Sequence, residues 1–141
     1  MAANTSPIFS KAPLNGISSI NPFKTADTTT GDLSGANVAL LFTADATNGS
    51  YVDKIIVQPL GTNIATVLRI WINNGGTNST VVNNSQIKDV TMAATTVSQT
   101  AAIGTTEITL GFALPASYRI YATLGTTVSA GFNALTVAGQ Y

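Results

Sequence analysis

The sequence predicts an all-β protein: an antiparallel β-sandwich of jelly-roll or related Greek-key type, with about eight strands and an extended N-terminal arm. Three observations lead there. From residue 37 onward, short runs rich in Val, Ile, Thr, Phe and Tyr recur, each closed by Gly, Asn, Asp or Pro. No stretch carries a sustained helical stripe, so nothing is available to cover a parallel sheet. Within the clearest runs, apolar residues alternate with others at the period of a strand that is buried on one face.

The elements follow in order. Residues 1–36 are rich in Ser, Thr, Asn, Gly and Pro, and Pro7, Pro13 and Pro22 oppose both helix and central strand. Spaced along them are Ile8, Phe9, Leu14, Ile17, Ile20 and Phe23. A leader with no surface to dock on has little use for two Phe and three Ile. These residues are therefore read as anchors of an arm that lies on its own domain or on a neighbour. Removing residues 1–34 is expected to leave a folded domain. The sandwich proper is assigned to residues 37–141. "NVALLFTA" (37–44) leads into the turn "DATNGS", and "YVDKIIVQPL" (51–60) into "GTNIA". "TVLRIWIN" (66–73) ends at Asn74-Gly75-Gly76, which permits positive φ. "IKDVTM", "TEITLGF", "YRIYATL" and "FNALTVAG" complete the series.

Alternation assigns faces. In 66–73, Leu68, Ile70 and Ile72 form the core face, and Val67, Arg69 and Trp71 point the other way. In 118–124, Tyr118, Ile120, Ala122 and Leu124 point inward, and Arg119, Tyr121 and Thr123 outward. In 106–112, Ile108, Leu110 and Phe112 point inward. The run at 51–60 is ambiguous, because Asp53, Ile55 and Val57 alternate against Lys54, Ile56 and Gln58. Asp53 beside Lys54 and Lys88 beside Asp89 read as edge charges that resist wrong pairing.

Arg69, Trp71, Arg119 and Tyr121 thus share an outer face that is no ordinary solvated one. They are candidate contacts, either for a protein interface, where Trp, Tyr and Arg concentrate, or for a sugar ring stacked on the aromatics. Alternatively the N-terminal arm or a long loop covers them, with Arg69 paired to Glu107 or Asp53.

Composition limits the function. Charged residues make up 9% of the 141 and the formal net charge is zero, so the surface must be largely Thr, Ser, Asn, Gly and Ala. Such a surface loses little desolvation energy when another protein covers it, which points to assembly. A balanced charge opposes nucleic-acid binding. With no cysteine, disulfides and thiolate metal sites are excluded. The first residues lack a continuous apolar stretch of signal-peptide type, and no run is long enough to span a bilayer. Synthesis and first folding in a cytoplasm are expected.

Catalytic chemistry finds little to work with. There is no histidine, hence no Ser-His triad. The acids are Asp27, Asp32, Asp45, Asp53, Asp89 and Glu107. Asp27 and Asp32 share a loop but lack the ligand spacing of an EF-hand, so turn capping is their simpler role. No phosphate-binding loop is present. The chain is expected not to be an enzyme, and to need no cofactor or metal.

Much of the chain resembles a group of small phage virion structural proteins of jelly-roll type. The resemblance is carried by "YVDKIIVQPLGTNIATVLRIWINNG" (51–75), "ALPASYRIYATLGTTVSAGFNALTVAGQY" (113–141) and the opening "MAANTSPIF". It implies a capsid decoration or cement protein on the head surface that assembles as a homotrimer and bridges neighbouring copies of the major capsid protein. The alternative expectation is a carbohydrate-binding module on the virion surface or a fibre tip, using Trp71, Tyr121 and the loops at 45–50 and 74–85 against surface glycans. Neither reading involves nucleic acid or membrane.

Overall fold

A computed structural model describes residues 10–141. Two antiparallel sheets pack face to face. The first runs β1 (Ala12–Pro13), β9 (Phe132–Gln140), β4 (Ser50–Pro59), β7 (Thr106–Leu114), with β2 (Gly16–Ile17) also paired to β9. The second runs β3 (Ala39–Thr43), β8 (Arg119–Leu124), β5 (Thr66–Asn73), β6 (Asn84–Met92). The pairings are nested: β1 and β2 with β9, β3 with β8, β4 with β7, β5 with β6. Further ladders, β4 to β9 and β5 to β8, complete each sheet. The expected antiparallel sandwich is therefore present. The one helical piece among the described residues is a short 3-10 turn, Val81–Asn83.

The core lies between the sheets. Val52, Ile55 and Val57 of β4 face Leu68 and Ile70 of β5 and Ile120, Ala122 and Leu124 of β8 in one buried cluster. The alternation assigned to β5 and β8 holds. Beyond it, Trp71 and Tyr121 stand opposite each other on the outer face of the four-stranded sheet and are buried as well.

Strand β4 shows why its sequence was ambiguous. Its ladders to β7 and β9 both shift between Val52 and Lys54. The irregularity at Asp53 changes phase, so Val52 and Ile55 are both buried although three positions apart. Opposite it, Gly111 of β7 adopts φ 65°, a left-handed conformation suited to glycine at a bulge. A second shift lies in β3 between Leu40 and Phe42, and it buries both Leu41 and Phe42. Strand β4 is interior, flanked by β9 and β7, so Asp53 and Lys54 are not edge charges as expected. Lys88 and Asp89 do lie on an edge strand, β6.

The N-terminal segment is laid along its own sandwich. Pro13 sits in a two-residue edge strand, where its missing N–H is tolerated. Phe23 enters the main core, its ring centroid 5.9 Å from that of Phe132. Leu14 and Ile20 pack against the same core, whereas Ile17 is 71% exposed. Ile8 and Phe9 lie outside the described residues. With Phe23 and Leu33 both buried, the described part of this segment packs into the sandwich.

Candidate functional site

The four candidate residues on the outer face of the four-stranded sheet meet different fates. Trp71 and Tyr121 are cross-strand partners, and the chain returns over them through Leu33, Val38 and Leu40. The local sequence makes that roof. Asp27 accepts the Thr29 N–H at 3.1 Å, and Asp32 accepts both the N–H and hydroxyl of Ser34, at 2.8 and 2.6 Å. These turns direct Leu33 inward, and its N–H is taken by the Asn78 carbonyl at 2.9 Å. The Ser34 hydroxyl and then its N–H hold the Asp32 carboxyl below the ordinary aspartate range. The two acids thus act as turn caps, and among the described residues no cluster of three potential metal ligands exists. Trp71 donates its Nε1–H to the Thr123 hydroxyl at 3.1 Å, which satisfies its polar atom inside the sheet face. With both rings roofed, neither offers an open face for a sugar to stack on.

Arg119 is also committed locally. It donates from Nη1 to the Asn73 side-chain oxygen and the Gly76 carbonyl, both at 3.3 Å, and so braces the turn after β5. Arg69 pairs with Asp89, Nε to carboxylate 3.5 Å, and not with Glu107 or Asp53. Register explains this. Asp89 stands directly opposite Arg69 on β6, whereas Glu107 and Asp53 belong to the other sheet, where Glu107 holds Lys54 at 3.2 Å. Arg69 borders two open clefts, one that Trp71 and residues 28–30 also line, the other beside Gly125.

A different surface went unrecognised in the sequence. The loops 60–65, 93–105 and 125–131 converge at one end of the sandwich and contain no Asp, Glu, Lys or Arg. Asn63, 2% exposed, ties them together. Its side-chain oxygen accepts the N–H groups of Ala130 and Gly131, each at 2.9 Å, and its amide donates to the Gly131 carbonyl at 3.1 Å. Its backbone exchanges hydrogen bonds with Thr95. The Thr95 hydroxyl in turn donates to the Gly61 carbonyl at 2.6 Å. On this braced end stand Leu60, Ile64 and Val97, 43%, 58% and 52% exposed. A second apolar strip crosses the outer face of the five-stranded sheet, where Ile17, Leu135 and Ile56 lie in one register row. The signal available in the sequence was the absence of charge over 55–68 and 90–106.

No helix among the described residues is long and apolar enough to cross a membrane. In comparisons with known proteins, no family model, curated protein or solved structure matches the chain.

Proposed function

We propose that this chain is a structural protein of a phage virion, a capsid decoration protein that bridges neighbouring major capsid subunits from the head surface and acts as a homotrimer. The observation that carries this reading is the set of charge-free loops that Asn63 ties together, bordered by Lys24 beside loop 125–131. Two of the three loops there, 60–65 and 93–105, expose Leu60, Ile64 and Val97, and none of the three carries a charge. Exposed apolar groups on a braced support suit a surface that spends its working life covered. Because the loops are already tied, little conformational entropy is lost on docking. The nested strand pairing fits a jelly roll, an architecture shared by viral capsid and lectin domains, and supports the reading only by analogy. Each contact is small, and many copies on a symmetric lattice add through avidity.

The test is reassembly on heads stripped of this chain. Ile64→Asp leaves the isolated fold intact, since the residue is exposed, and puts a charge into the contact. Occupancy per head is expected to fall at least about tenfold at fixed protein concentration, equivalent to about 1.4 kcal/mol. Wild-type occupancy by that variant rejects this end as the capsid contact. Sedimentation of the purified protein tests the trimer, and a monomer at every concentration rejects it.

A further inference from the structure

We propose that the cleft between residues 28–30 and strands β5 and β6 is a binding site for an uncharged saccharide. The cleft measures about 530 Å³, within the range of small-molecule sites. One wall is the Thr28–Thr30 turn, the other is Ser85 and Gln86 of β6, and Arg69 and an edge of Trp71 line the floor. The walls are held at a fixed distance by Asn84, whose amide donates to the carbonyls of Gly31 at 2.6 Å and Asn78 at 2.7 Å. Asn84 also accepts from Asn73 at 2.7 Å, so its amide N–H groups and one lone pair of its oxygen are spent on the brace.

The polar groups left over define the ligand. Among the described residues, the hydroxyls of Thr28, Thr30 and Ser85 make no hydrogen bond. Gln86 uses its amide N–H on Asp89, at 2.7 Å, and leaves its oxygen as an acceptor. Arg69 uses Nε on Asp89. Its two terminal nitrogens pass over Gly125, where a Cβ would come within 3.2 Å of Nη1. The site therefore mixes donors and acceptors beside a guanidinium already neutralised by a carboxylate. An anion gains little from an Arg69 already paired with Asp89. A sugar hydroxyl, which both donates and accepts, suits every member of the set, and the Trp71 edge supplies an apolar contact for ring C–H groups. This site differs from the stacking arrangement expected of Trp71 with Tyr121, since both rings lie under Leu33 and Val38. It does not depend on the capsid reading.

Trp71 is the single tryptophan of the chain, so its emission reports on this cleft. The full protein is titrated with glucose, galactose, mannose, N-acetylglucosamine and, as the charged control, N-acetylneuraminic acid. At least one neutral sugar is expected to give a saturable change in emission. Gln86→Ala is expected to weaken that binding about tenfold, the equivalent of one hydrogen bond. Ser85→Phe, which fills the cleft from an exposed edge position, is expected to abolish it with the circular dichroism unchanged. No response to any neutral sugar, response to the charged sugar alone, or undiminished binding in both variants overturns the proposal. None of these readings involves head occupancy, so its failure is separable from that of the capsid role.

Discussion

Trp71 shows how much one side chain can be worth when a sheet has cover on both faces. Its ring is enclosed by Leu33, Val38 and Tyr121, and its N–H is spent on Thr123. Trp71→Ala removes the ring and leaves the buried Thr123 hydroxyl without its donor. The expected loss is about 3–5 kcal/mol, read from urea unfolding by circular dichroism; a loss below about 1 kcal/mol, typical of exposed sites, contradicts the enclosure. The sequence revealed the side of the strand on which Trp71 stands, because alternation is a local property. It did not reveal what lies above, because Leu33 and Val38 arrive from a Thr-rich segment with no periodicity. Arg69 makes the same point. Its outward direction was legible from β5 alone, while its partner depended on pairing β5 with β6, a non-local fact that placed Asp89 opposite.

At the level of the strand, legibility failed where the ladder is irregular. Strands β5 and β8 direct alternate residues into the core between the sheets, and the sequence assignments for their core faces are correct, with Trp71, Tyr121 and Thr123 buried on the opposite face. Strands β3 and β4 carry register shifts, and there the apolar pattern carries two phases joined at one residue. In β4 the joint is Asp53, which is exposed. Its side chain should matter little and its backbone a great deal. Asp53→Ala is expected to change stability by no more than about 0.5 kcal/mol. Deleting Asp53 instead throws one half of β4 out of register, turning either Val52 or Ile55 and Val57 away from the core. The deletion variant is expected to lose the cooperative unfolding transition. Thermal melts of the two variants check this, and a deletion that melts like the parent shows that the phase change has another origin.

For the molecule as a whole, the composition foretold the kind of surface and the nested pairing shows how it is arranged. Scarcity of charge was visible at once; its concentration into neighbouring charge-free loops required knowing that 60–65, 93–105 and 125–131 meet. The N-terminal segment is integral. Deleting residues 1–34 removes Phe23 and Leu33 from two buried clusters and β1 and β2 from the five-stranded sheet. The truncated protein is expected to be several kcal/mol less stable, since each lost core side chain alone costs about 2–5 kcal/mol. Its tryptophan emission should shift to the red as Trp71 meets water. Unshifted emission together with an unchanged melting temperature refutes this role for the segment.

Strand β9 has a consequence of its own. It is hydrogen-bonded on one side to β1 and β2 and on the other to β4, so it joins the earliest described strands to the middle of the chain. During synthesis, β4 and β7 can pair early, but β1, β2 and the other side of β4 must wait for residues 132–140 to be made. Such late closure makes for slow acquisition of the native state, and in the interval β4 presents an open, apolar side to any neighbouring nascent copy.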